Sequence, residues 1–290
     1  MRTLITWILS SACILSALAW PSVSGAQGVP LVFQTTFNCP EWRQSDGLND
    51  NQVCNSGDGI AGNGAWTTSN GSQDQITTPA NYAGGGGGRG FRHWVGDGLN
   101  NTGGGIKVSW SGISEMWFRY YIRFQSGFRW GGGVSPNMKT IYCNYAEPGT
   151  FYFGLHDGVI GGHVEVDKTG GTGNHHSSVT WAQWQGGSTG NGNFHVLEVH
   201  ARMNTTGSSS DGVLEFWLDG APLYSSSTVH FSNSTGTRFN NCKVGENHNN
   251  PQNGGVDVYV DFDDIAVSNV GYVGPLGPAA ITAPRNLRVQ

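Results

Sequence analysis

Every second residue of the stretch 115–124 is apolar: Met116, Phe118, Tyr120, Ile122 and Phe124 alternate with Glu115, Trp117, Arg119, Tyr121 and Arg123. A period of two puts the first set on one face of a β-strand and the second on the other, whereas a helix would scatter both around its axis. The pattern recurs. In 194–204 Leu197, Val199, Ala201 and Met203 alternate with Glu198, His200 and Arg202, and in 213–219 Leu214, Phe216 and Leu218 alternate with Glu215 and Trp217. Asp211-Gly212 and Asp219-Gly220 bracket the last stretch, so 194–204 and 213–219 read as a hairpin. Further strands are predicted at 31–37, near Arg89 to Val95, and at 139–145, 151–156, 162–167 and 256–268, the last pairing near the first. No amphipathic helix is expected, and 45–105 reads as long loops with short strands. The predicted fold class is all-β, a two-sheet antiparallel β-sandwich.

The chain holds 46 glycines, which by itself would suit disorder, but also 11 Trp, 13 Phe and 9 Tyr, more aromatic surface than a chain without a core carries. Charged residues make up 12% and the formal net charge is −5, which leaves no basic footprint for nucleic acid.

Arg2, the apolar stretch from Leu4 to Trp20 and the small residues Ser24-Gly25-Ala26 read as a cleaved secretory signal over 1–26. No other apolar stretch is long enough to insert in a membrane. The expectation is a secreted protein, extracellular or periplasmic, with one sandwich domain over 27–273 and a loose Pro-rich tail over 274–290. Outside the signal the cysteines are Cys39, Cys54, Cys143 and Cys242, an even number that suggests two disulfides in an oxidising compartment. Three pairings are open; a local Cys39–Cys54 link and a long-range Cys143–Cys242 link are expected.

If the three alternating strands are neighbours, their second faces merge into one polar-aromatic surface. Trp117, Tyr121 and Trp217 would offer flat faces to sugar rings, and Arg119, Arg123, Arg202, Glu198, Glu215 and His200 would offer hydrogen bonds to hydroxyls and carboxylates. A solvated sheet face laced by Arg–Glu pairs would show the same residues. Tyr152 and His156 share a strand parity and are candidates to join the sugar face.

The segments SEMWFRYYIRFQSGF, FHVLEVHARMNTTGSSSDGVLEFWLDG and VDFDDIAVS, in that order, resemble the concanavalin A-like jelly rolls, and within them the polysaccharide-lyase-like proteins related to heparin and alginate lyases. The resemblance spans roughly residues 110–270 and is more specific for fold than for activity. It implies β-elimination on a uronate polymer: His200 as base, Tyr121 as acid, Arg119 and Arg202 on the carboxylate, with Asn144 as a further donor. The chain lacks the R-x-E-x-R and Q-x-H blocks of one alginate-lyase family, and Glu198-Val199-His200 has Glu where that family has Gln. No cofactor is required; jelly-roll modules often hold a structural calcium ion, for which Asp261, Asp263 and Asp264 are the candidates. The expected partner is a polysaccharide, with the lyase reading pointing to an anionic one, and no oligomeric state is indicated. A lectin-like binding module or an extracellular matrix or surface protein is the alternative. A glycosidase reading rests on Glu165-Val166-Asp167, which lacks a third carboxylate. His175-His176, in a Gly/Asn-rich stretch, read as solvent-exposed rather than as ligands.

Overall fold

The structure, a computed structural model, describes residues 28–38, 40–43, 63–66, 73–95, 105–132, 135–145, 149–166, 172–245, 248–249, 256 and 258–276. The signal over 1–26, Cys39, Cys54, Asp167 and everything after Leu276 lie outside the described residues.

The spine of the first sheet is β17 (Val258–Ser268), in which all but one residue is buried. One edge of β17 pairs along its length with β7 (Glu115–Phe124); the other is shared by β5 (Gly90–Val95) and β1 (Leu31–Thr35). First and last strands therefore meet, as predicted. Beyond β7 come β12 (His195–Arg202), β13 (Gly212–Leu218) and β14 (Ala221–Val229), and beyond β5 come β4 (Gln73–Thr77) and β2 (Trp42–Arg43). The second sheet runs β11 (Thr172–Thr180), β10 (Val159–Glu165), β9 (Thr150–His156), β8 (Asn137–Tyr145), β15 (Phe239–Val244), β6 (Ile106–Ile113) and β3 (Asn63–Trp66), with β16 (His248–Asn249) also beside β8. Each strand pairing among the described residues is antiparallel, and the two-sheet sandwich is the architecture predicted.

The core lies between the sheets. Met116, Phe118, Tyr120, Ile122 and Phe124 of β7, the predicted inner set, are all fully buried. Phe216 of β13 meets Phe153 of β9 with ring centroids 4.6 Å apart, and the Tyr120 hydroxyl meets Thr140 Oγ1 at 2.5 Å, so both contacts tie one sheet to the other. Fully burying each such large apolar side chain stabilises the fold by about 1.5–3 kcal/mol. Cys143 stands directly opposite Cys242 in the β8–β15 register, and the two form the expected long-range disulfide.

Four longer strands went unpredicted: β6, β11, β14 and β15. Two of them, β11 and β14, are sheet edges whose sequences, TGNHHSSVT and APLYSSSTV, bury too little to show alternation. A five-residue helix α1 (Trp181–Gln185) also departs from expectation. It is too short for a 3.6-residue pattern and depends on its ends, a capping box between Thr180 and Gln183 and Gly186 in the left-handed region.

Candidate functional site

The predicted merging of polar faces is correct. Glu198 of β12 stands between Arg119 of β7 and Trp217 of β13, and His200 stands between Trp117 and Glu215. The face is not open, however, because residues 272–276 lie across it. The backbone N–H groups of Val273 and Gly274 donate to the Glu198 carboxylate at 2.7 and 2.8 Å, and Arg119 donates to the carbonyls of Gly274 and Asp264. Leu276 N–H donates to the Tyr121 hydroxyl at 2.6 Å, and the Tyr272 ring packs on Trp217. Tyr82 stacks on the other side of Tyr121, with centroids 3.9 Å apart. Arg119, Tyr121 and Glu198 are only 2–3% exposed. Burial pushes the Glu198 carboxyl up to about 7, against the two N–H donors and Arg119.

His200 has no free ring edge. Nδ1 lies 2.7 Å from Glu215 and Nε2 lies 2.9 Å from Glu115, while its face stacks on Trp117 at 4.0 Å. Burial alone would lower its pKa, but the hydrogen bonds from Glu115 and Glu215 outweigh it and the net shift is upward. A clamped imidazolium holds the proton a base would have to lack. In register, Tyr121 is opposite Val196, four residues from His200, a separation of about 13 Å at roughly 3.3 Å per residue. These residues cannot attend one sugar position. The geometry argues against His200, Tyr121, Arg119 and Arg202 as one catalytic group and, where the segment covers the face, against Glu198 and Trp217 on substrate; Trp117, Arg123 and Glu215 lie on the same face. Arg202 donates to the Asp211 carbonyl, and Arg123 pairs with Asp261. The start of the supposedly loose tail is likewise corrected, since Gly274 and Leu276 are held down.

Asn144, Tyr152 and His156 sit elsewhere, on the outer face of the second sheet, with neighbours that sequence reasoning missed. Strand pairing aligns Lys107 with Lys243, Lys243 with Tyr142, Tyr142 with Tyr152, Tyr152 with His163 and His163 with Asn174. The rings of Tyr142 and Tyr152 are 6.1 Å apart and 5° from parallel; those of Tyr152 and His163 are 4.5 Å apart. Lys139 Nζ lies 4.6 Å from the Tyr152 ring centre and 5.2 Å from that of Tyr142. Asn144 faces Asn241 and Thr150 in the adjacent register.

Lys139 and Tyr142 have opposite parity, yet both face outward. A bulge between Lys139 and Ile141 turns Thr140 and Ile141 inward together and resets the alternation. Gly154 makes room for it, since a Cβ there would fall 2.2 Å from the Met138 carbonyl oxygen. Burial, with Glu165 and Tyr142 adding to it, pushes the Tyr152 phenol well above its ordinary range, so the group stays protonated. His163 Nδ1 donates to Asn174 Oδ1, which leaves the Nε2 edge to accept a proton, with Glu165 Oε1 3.6 Å from it. Beside the β9–β10 turn, Trp130, Trp181, Arg129 and Pro136 line a cleft of about 670 Å³.

The three aspartates of the calcium expectation separate. Asp261 is taken up by Arg92 and Arg123, which removes it as a ligand. Asp263 accepts the N–H of Tyr82 and of Asp264. The Asp264 carboxylate lies in a cradle of glycines: a Cβ on Gly85 would fall 1.4 Å from its Oδ2, and Gly86 donates to its Oδ1. Gly87 passes close to the Thr36 carbonyl, just beyond β1. The glycine run 85–87 thus borders both the Asp264 carboxylate and the Thr36 carbonyl, oxygen donors of the kind a hard cation takes.

No family profile matches the chain, and no curated protein matches it in sequence. Solved structures do share its fold. The endo-beta-1,4-glucuronan lyase from the fungus Trichoderma reesei is 13% identical with a TM-score of 0.51, covering 76% of this chain and 93% of the lyase. The cellulose induced protein Cip1 is 16% identical with a TM-score of 0.50, covering 72% of this chain and 92% of Cip1. The two-sheet jelly-roll architecture expected from the sequence is thus the architecture found.

Proposed function

We propose that the protein acts on a uronate-containing polysaccharide along the outer face of the second sheet and cleaves it by β-elimination. The observation that carries this reading is the cross-strand row Lys243–Tyr142–Tyr152–His163 with Lys139 beside the two tyrosines. The phenol hydroxyls and ring edges along the row suit the hydroxyls of successive sugars, and the lysines suit their carboxylates. The fold likeness to a glucuronan lyase agrees with it.

The chemistry follows from the row. Lys139 neutralises the carboxylate next to C5 and so acidifies the C5 proton. His163 Nε2 removes that proton, the electron pair forms the C4–C5 double bond, and the bond from C4 to the leaving oxygen breaks. The neutral Tyr152 phenol protonates that oxygen. No metal takes part in these steps. Asp264, with the Thr36 carbonyl, would hold a structural calcium ion that pins the first strand to the last. The Cys143–Cys242 disulfide supports the reading of an exported protein.

The test is the rise in ultraviolet absorbance from the unsaturated uronate when the protein meets glucuronan, alginate, heparin or pectate, with Lys139→Ala and His163→Ala alongside. Absorbance that rises with the native protein and not with the variants supports the lyase. Retention on one of these polymers without any absorbance change would turn the reading to a non-catalytic binding module, and neither signal would sink it. For calcium, a chelator should lower Tm and Asp264→Asn should abolish that response; an unchanged Tm rejects the ion.

A further inference from the structure

Beside the row, three metal-capable groups converge: among the described residues His156, Asp157 and His176 bring their ligand atoms within 4.8 Å of one another. The local sequence accounts for the convergence. Asp157-Gly158 forms the two-residue turn between β9 and β10, both residues with positive φ (51° and 83°), which fixes His156 as the last residue of its strand. His176 comes from β11, opposite Gly161 of β10, which is in turn opposite Gly154 of β9. A Cβ on Gly161 would fall 2.8 Å from His176 Cδ2. Gly161 thus lets the His176 ring lie over β10 and reach His156. The expectation that His175-His176 form an exposed pair is corrected: both are half-buried on a strand, His175 bound to the Tyr224 hydroxyl and His176 to His156.

We propose that this cluster is a divalent transition-metal site, suited to zinc, with His156 Nδ1, His176 Nε2 and the Asp157 carboxylate as ligands and an open fourth position for water. The two nitrogens are 2.9 Å apart and Asp157 Oδ2 is 3.3 Å from His156 Nδ1. Ligands at tetrahedral bond lengths of about 2.0–2.1 Å stand about 3.3 Å apart, so the imidazoles need to open by only a few tenths of an ångström. Two imidazoles and one carboxylate favour zinc, copper or nickel over calcium or magnesium. The site shares no residue with the proposed elimination and stands independently of it.

The experiment is zinc titration by calorimetry of the full, untagged chain after metal removal, with circular dichroism to confirm that each variant keeps its fold. One saturable site per chain is expected. His156→Ala and His176→Ala should each weaken it by more than the about 10–100-fold typical of losing an outer-shell partner, Asp157→Asn should weaken it less, and His230→Ala should leave it unchanged. Cobalt should give visible bands that the same variants lose. No saturable zinc binding, or a site that persists in the His156→Ala/His176→Ala double variant, overturns the proposal.

Discussion

Tyr152 of β9 and His163 of β10 stand directly opposite each other across the second sheet, their rings 4.5 Å apart and 18° from parallel. A phenol held neutral and an imidazole edge are thereby offered side by side, beside Lys139.

Tyr152→Phe keeps the ring and removes the proton. Turnover on the responsive polymer should fall by about 10²–10⁴-fold, with affinity and Tm little changed. Initial rates from product absorbance measure the first, and affinity electrophoresis the second. A fully active Tyr152→Phe would remove the phenol from the mechanism.

His200→Ala should do the reverse. It empties the clamp between Glu115 and Glu215, costing about 1–3 kcal/mol of stability, and leaves turnover intact. Because the folded His200 pKa is raised, its contribution is full below the unfolded value near 6.5 and fades as pH rises through the folded value. Urea unfolding should therefore show a wider gap between native protein and variant at about pH 6 than at about pH 9. Lost turnover with unchanged stability would return His200 to the catalytic set.

Glu198 acts in the same direction through a different cause. Its carboxyl is raised to about 7 from 4.5 by burial, so the folded state is favoured below about 4.5 and loses that advantage as pH rises through about 7. At about 1.4 kcal/mol per pK unit the loss is on the order of 3 kcal/mol. Glu198→Gln should flatten this part of the stability profile. An equally steep profile in the variant would place the dependence elsewhere.

The Cys143–Cys242 bond closes a separation of 99 residues. Reducing it, or replacing both cysteines with alanine, should cost about 2–5 kcal/mol. Thermal unfolding with and without reductant checks this, and an unchanged Tm would mean that β8 and β15 hold together without it.

The faces of β7, β12 and β13 were legible in the sequence because a period of two is a local property of each strand. Whether a face is open is not local. Nothing in Glu198-Val199-His200 foretells that Val273 and Gly274, some 75 residues on, will donate to that glutamate. On the second sheet the difficulty was different. Asn144 and Tyr152 were named as candidates, but strict alternation cannot place Lys139 and Tyr142 together across a bulge. Gly154, whose missing side chain admits that bulge, was the available signal. The edge strands β11 and β14 stayed hidden because their sequences bury little.

The segment laid over Glu198, Arg119 and Tyr121 also sets the valency of the molecule. With those residues covered, the proposed function lays a long polymer on the second sheet, and one copy then engages one strand of polysaccharide. Any gelling or clumping of polymer by this protein would have to come from self-association, and would depend on protein concentration in a way that simple occupancy does not.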